Sequence, residues 1–341
     1  MGDSAAHAGP KPQNQGSLPR VRVQRRPVHG VLLLDKPLGF SSNQALQKAK
    51  WLLRADKAGH TGTLDPLATG VLPLCFGAAT KFSQQHLDAH KRYHAVLRLG
   101  QATATGDAEG DVLHTADVPP LTLADLERVA LSMTGPVLQV PPMYSALKKD
   151  GKALYEYARA GLEVEREARA VEIFELKLAL VLDVQGFTAI EIDVACSKGT
   201  YIRTLGEDIA RALGTVGHLR ALRRTQTGNF TEADCISIDV LEALPETQRL
   251  AALKPVDVLL PHHQPVTLID EDAGRFLSGL RRRLAVPDAT EVAVYGSQPR
   301  SLLGTAHISG GELVPTRLLN PLEIQQILAQ AEIACAPITK T

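Results

Sequence analysis

Twelve residues, GHTGTLDPLATG from Gly59 to Gly70, constrain this 341-residue chain more than any other stretch. Glycine, threonine and proline at that density interrupt both helical and strand periodicity, so the segment is expected to be a loop between ordered elements. Its small side chains let another molecule approach the backbone closely, and Asp65 is its only carboxylate. Taken alone, an aspartate before proline is the ordinary signature of a cap or an Asx turn. A functional reading therefore needs support from elsewhere in the chain.

Periodicity outlines the elements around that loop. An apolar run predicts a strand over Gly30–Asp35, then a Pro-Gly turn and a helix capped by Ser41 or Ser42 and reaching about Arg54. Arg92–Leu99 alternates as a strand, and LTLADLERVALSMTG reads as an amphipathic helix closed by Gly135. Ile190, Ile192, Val194 and Cys196 share one strand face; after a turn at Ser197–Thr200, Ile202, Leu205, Ile209 and Leu213 share one helix side. From about 264 to 321, alternating strands and repeated glycine turns predict a small β-rich unit, and PLEIQQILAQAEIA a closing helix. Residues 1–27, rich in Pro, Gly, Gln and Arg, predict a disordered basic tail. The class is α+β with mixed strands, not a strict βαβ alternation.

Composition and missing motifs narrow the chemistry. Lys+Arg and Asp+Glu both number 37, which argues against a uniformly basic nucleic-acid coat but leaves room for a local basic face. Four scattered cysteines with no CxxC pair predict reduced thiols and no zinc site. VLLL at 31–34 is too short to span a membrane and residues 1–27 hold no signal-type apolar run, so a cytoplasmic protein is expected. The Asp65 loop lacks the GK[ST] ending of a phosphate loop, and no GxGxxG follows a strand. His60 has no second histidine at metal spacing, and there is no Gx-Ser-x-Gly elbow. Neither a metal nor another cofactor is expected.

What remains is scattered. Tyr93 on KRYHAVLRLG reads as a half-buried strand aromatic. Arg203 stands in the first turn of a helix, where cations are disfavoured, so it calls for a carboxylate or a bound anion. Tyr144, Tyr155 and Tyr157 interleave with Lys148, Lys149, Lys152 and Arg159, a mixture of stacking and phosphate-binding groups. HLRALRR at 218–224 and RRR at 281–283 are charge runs of the kind usually found solvated.

Taken together and in this order, these segments resemble one family. GHTGTLDPLATGVLPLCFGAATKFS is similar to the catalytic motif of the bacterial tRNA pseudouridine-55 synthase (TruB) family. LLLDKPLGFSSN, KRYHA, VPPMYSALKKDGKALYEYARAG and CSKGTYIRTLGEDIARALG resemble its other signatures, over about residues 28 to 321. The resemblance implies a pseudouridine-synthase fold over 28–250, a mixed central sheet flanked by helices, with 140–170 a mobile insertion closing over RNA. It also implies a small C-terminal β-barrel, PUA-like and RNA-binding, over 255–321, leaving 322–341 as a terminal helix and tail.

The reaction so implied turns uridine into its C-glycoside in the T-loop of tRNA. By the same resemblance Asp65 is the catalytic aspartate, attacking C1′ or assisting loss of the C2′ proton; attack at base C6 is an older proposal. Arg203 pairs with Asp65, and Tyr93 stacks on the uracil and helps remove the C5 proton. His60 fills the space of flipped nucleotides, and Lys36 positions the loop or the RNA. Tyr201 and Leu222 line the uracil pocket, while the Lys and Arg of 148–159 and 218–224, among them Lys148, Arg159 and Arg223, hold T-arm phosphates. No protein partner is required and a monomer is expected. Two other readings stay open at this point: an RNA-binding or tRNA-folding protein in which catalysis is secondary, and a synthase for another RNA site.

Overall fold

Side chains alternate across a strand, and Gly30–Lys36 uses both sides. Leu32 and Leu34 enter one hydrophobic core, whereas Val31 and Leu33 enter a second. The computed structural model describes residues 24–335. Its central sheet runs in the order Ile236–Ser237, Gly30–Lys36, Ala68–Phe76, Gly217–Thr227, Lys91–Leu99, Thr188–Cys196, Arg169–Leu182 and Gly135–Gln139. Ala58–His60 and Phe230–Thr231 add short pairings to Ala68–Phe76 and Gly217–Thr227. Gly30–Lys36 pairs in parallel with Ile236–Ser237, and Ala68–Phe76 with Gly217–Thr227; the other neighbours are antiparallel.

Helices Ser42–Leu52, Leu123–Ser132 and Ile202–Ala212 contribute to the first core through residues such as Ala45, Ala49, Leu126, Leu205 and Ile209. Helix Ile202–Ala212 lies close to the sheet at Gly206, where a Cβ would stand 3.1 Å from both Leu97 and Leu219 side chains. The second core is shared with the C-terminal unit: Val31, Leu33, Val71 and Phe82 meet Leu259, Val292, Val294 and Leu303. That unit is a five-stranded curled half-barrel, ordered Gln264–Leu268, Ala289–Ser297, Arg300–Ser309, Glu312–Leu318, Arg282–Arg283. Helix Pro321–Cys335 then returns to the start of the described chain. Gln330 Oε1 accepts from the His29 amide at 2.9 Å, Gln330 Nε2 donates to the His29 carbonyl at 2.7 Å, and Gln326 Oε1 lies 2.9 Å from the His29 ring.

Several local expectations meet a different outcome. The first helix ends at Leu52 because Arg54 turns to φ 52°, a left-handed conformation that stops helical propagation. Residues 1–23 of the expected tail lie outside the described residues, but its last part does not. The Arg26 amide donates to the Arg54 carbonyl at 2.8 Å, and Arg25 Nη1 to the Lys50 and Ala55 carbonyls at 3.1 Å. The basic run at 218–224 is no solvated stretch; it lies within the central strand Gly217–Thr227. No described helix is long and apolar enough to cross a membrane. Cys75, Cys196 and Cys235 are free thiols.

Candidate active site

The Asp65 loop is pinned from both sides. Ser41 caps helix Ser42–Leu52 in a reciprocal box with Gln44, and the next residue reaches the loop. Ser42 Oγ accepts from the Leu64 amide at 2.8 Å and donates to the Leu64 carbonyl at 3.0 Å. The Gly39 amide donates to the Pro66 carbonyl at 2.9 Å, and Ala68 N–H to the Asp65 carbonyl at 3.0 Å. The loop's final glycine answers to packing: Gly70 has φ 99°, and a Cβ there would sit 2.2 Å from the Arg224 carbonyl oxygen. Only glycine fits.

Opposite Asp65 stands Arg203, at the start of helix Ile202–Ala212 and 4% exposed. Its Nη2 lies 2.9 Å from Asp65 Oδ2 and also donates to the Tyr144 carbonyl at 2.7 Å. Nη1 donates to the Thr105 carbonyl at 2.8 Å, and Nε faces Asp107 Oδ2 at 3.8 Å. Two acidic groups thus hold a cation at the helix N-terminus. Burial pushes the Asp65 carboxyl above its ordinary range; Arg203 opposes that rise, Asp107 adds to it, and Lys36 opposes it again.

A cavity of about 360 Å³ opens beside this pair, lined by Asp65, Arg203, Tyr93, Tyr201 and Leu222. Those five sequence-predicted residues come together. Ser145, Ala146 and Leu147 form one wall, so the 140–170 insertion meets the cleft directly. Burial raises the Tyr93 and Tyr201 phenols, which keeps both protonated at neutral pH. A larger cavity of about 640 Å³ lies between the sheet and the C-terminal unit, lined in part by His86, His90, Phe174 and His262. It shares Lys91 with the cleft but contains neither Asp65 nor Arg203.

The other sequence-predicted residues stand outside the cavity lining. Lys36 is fully buried, its ammonium donating to the Pro37 carbonyl at 3.0 Å and to that of Phe40. Burial lowers it to about 8, and it braces the turn beside the Asp65 loop. His60 is half-buried on strand Ala58–His60; burial, then the Arg224 charge, lower its pKa and favour a neutral ring. Lys148 is exposed on a short hairpin of the insertion, and Arg159 lies 5.3 Å over the Tyr155 ring on the following helix. Arg223 is already engaged by two carboxylates. Its Nη1 and Nη2 each bond Asp35 at 3.0 Å, and Nε bonds Glu232. Alternation explains this: on strand Gly217–Thr227, Leu222 and Arg224 face the cleft while Arg223 turns away.

Sequence reasoning gave Arg224, with the rest of the 218–224 run, to T-arm phosphates, not to the cleft that it lines, and it missed Lys91 and Asp107. Strand alternation from Leu222 was the signal for Arg224. A carboxylate in a glycine-rich turn, the argument made for Asp65, was the signal for Asp107, which is 2% exposed and accepts from the Glu109 amide at 3.1 Å.

Comparison with known proteins gives a consistent result. Residues 50–202 match the model of the TruB family pseudouridylate synthase N-terminal domain, and residues 203–264 that of the tRNA pseudouridylate synthase B C-terminal domain. Over 312 residues the chain is 64% identical to tRNA pseudouridine synthase B of Verminephrobacter eiseniae (strain EF01-2), covering 91% of this chain and 94% of the relative. The corresponding protein of Ralstonia pickettii (strain 12J) is 53% identical over 326 residues, covering 93% and 99%. Among solved structures, a chain of an H/ACA RNP bound to a substrate RNA containing 2′-deoxyuridine superposes with a TM-score of 0.61 at 24% identity, covering 86% of each chain. A chain of the archaeal box H/ACA sRNP Nop10-Cbf5 complex gives 0.61 at 22% identity, covering 89% of this chain and 91% of that one. These two likenesses speak to fold alone.

Proposed function

Because this chain belongs to the TruB family of pseudouridylate synthases and forms pseudouridine in tRNA, we propose that its target is uridine 55 of the T-loop, flipped into the Asp65 cleft. The observation that carries this reading is the 2.9 Å contact between Asp65 and a buried Arg203 at the edge of a cavity shared with Tyr93. At about 360 Å³ the cavity is near the low end of ligand pockets, roughly 300–1,000 Å³, a fit for one extruded nucleoside and not for a stacked helix.

The reaction breaks the N1–C1′ bond, turns the base, and joins C5 to C1′; the C5 proton is lost last. Asp65 acts as the ionised group at the sugar, either by attacking C1′ or by assisting departure of the C2′ proton. Arg203 fixes its direction and opposes the burial that would protonate it. Tyr93 stacks on the uracil in its neutral form, with Tyr201 and Leu222 as further walls. His60, kept neutral, occupies space left by flipped nucleotides, whose extrusion costs a few kcal/mol. Lys148 and Arg159 contact T-arm phosphates, which makes binding weaken with salt. The C-terminal half-barrel, PUA-like by resemblance, is the accompanying RNA-binding module.

Mapping pseudouridine along an unmodified tRNA transcript after treatment with the enzyme tests the assignment. Conversion confined to the T-loop uridine is the expected result. Conversion at another uridine, with the T-loop untouched, would contradict it.

A further inference from the structure

Arg224 is the largest side chain that the described fold buries completely, at 1% exposure. Its Nε donates to the Val71 carbonyl at 2.7 Å, while Nη2 is buried with no hydrogen-bond partner. Among the described residues it pairs with no carboxylate. Its charge acts instead on Lys36, His60, His86, Lys91 and Tyr93, four bases and one phenol. Burying a cation without a counter-charge is costly, and so is an unmet buried donor. A strut between strands would not need a guanidinium, because an apolar side chain fills such a place without that penalty.

One strand away lies a group that does need it. Arg224 and Tyr93 are direct register partners on Gly217–Thr227 and Lys91–Leu99, so their side chains share one face of the sheet. Both line the Asp65 cavity, and the guanidinium charge acts on the phenol. We propose that Arg224 is a positioning residue of the reaction, holding the phenol oxygen of Tyr93 against the target base as Arg203 holds the carboxylate of Asp65. Nη2, unmet in this structure, is the donor offered to that oxygen once the base is in place, leaving the phenol proton free to point elsewhere. The inference rests on the reading of the cleft as a uridine site.

The test is single-turnover release of C5 tritium from a T-arm stem-loop by the full chain, comparing wild type, Arg224→Gln, Tyr93→Phe and the double variant. Each single substitution is expected to slow release about tenfold or more, the scale of a lost hydrogen bond to a charged group. If Arg224 works through the Tyr93 oxygen, the double variant is no slower than the slower single one. Arg224→Lys, which keeps a charged donor, recovers part of the loss and carries the same cycle should Arg224→Gln fail to fold. Losses that multiply in the double variant overturn the proposal and make Arg224 a strut. So does a Tyr93→Phe enzyme that releases tritium at the wild-type rate. A wild-type enzyme that releases none refutes the reading of the cleft itself, and the proposal with it.

Discussion

Nη2 of Arg203 serves two oxygens at once, Asp65 Oδ2 at 2.9 Å and the Tyr144 carbonyl at 2.7 Å. The aspartate and the insertion that walls the cleft therefore share one nitrogen, and a shift in either is felt by the other. The same cluster sets the pH at which the site works. On the proposed reading Asp65 must be ionised to act at the sugar, and burial holds its pKa above the ordinary aspartate range against the pull of Arg203. As pH falls through that raised value the carboxylate is neutralised and kcat/KM declines, so the acid limb stands at higher pH than a free aspartate would give. Asp107 contributes to the rise as a like charge, whereas Arg203 and Lys36 oppose it. In Asp107→Asn the limb accordingly moves to lower pH, whatever happens to the plateau. A pH–rate profile checks this, and a limb that stays put or moves upward would refute the electrostatic account of the site.

At the scale of elements, the geometry of the Asp65 loop depends on a helix that contributes no residue to the cavity. Ser42, in the first turn of Ser42–Leu52, holds both the amide and the carbonyl of Leu64, the residue before Asp65. Leu64 is 4% exposed, so Ser42→Ala leaves both backbone groups without partners or water. The expected cost is about 1–3 kcal/mol of stability, read as a lower Tm. Activity is expected to fall by up to about 100-fold, since a small displacement of a reacting group is enough. A variant with a lower Tm and unchanged activity would mean that the loop holds itself. This support was only half legible from sequence: the cap at Ser41 follows local rules, but the Ser42–Leu64 contact is tertiary. The same limit explains the arginines. Charge density in HLRALRR suggested phosphate contacts, yet the stretch is a central strand. Its period of two sends Arg223 to Asp35 and Glu232, and Arg224 to the cleft. Once the strand is recognised, alternation from Leu222 identifies the inward arginine.

Across the whole molecule, the larger unit and the C-terminal half-barrel share the second core, in which Leu33 and Phe82 meet Val292 and Leu303. Helix Pro321–Cys335 adds its hydrogen bonds to His29. Units joined by a common apolar core are expected to unfold together. Leu33→Ala and Leu303→Ala, each costing roughly 2–5 kcal/mol, should therefore lower one and the same calorimetric transition. Two separate transitions, each answering to only one substitution, would contradict this. Sequence patterns revealed both units but not their docking, because Gly30–Lys36 is apolar on both faces and reads alike whatever covers it. The main site residues were legible in a different way. Asp65, Tyr93 and Arg203 lie in motifs that resemble the family's signatures, while Asp107 escaped notice and Arg224 was given to phosphates, because the contacts of both are set by the fold.

The central claim is that the Asp65 carboxylate performs the chemistry inside this cleft. Its most direct test is C5-tritium release from a T-arm stem-loop, comparing wild type with Asp65→Asn, a substitution that keeps the size and removes the charge. The account predicts rapid release by the wild-type enzyme and none by a variant that still binds the stem-loop. Comparable release by both proteins would contradict it.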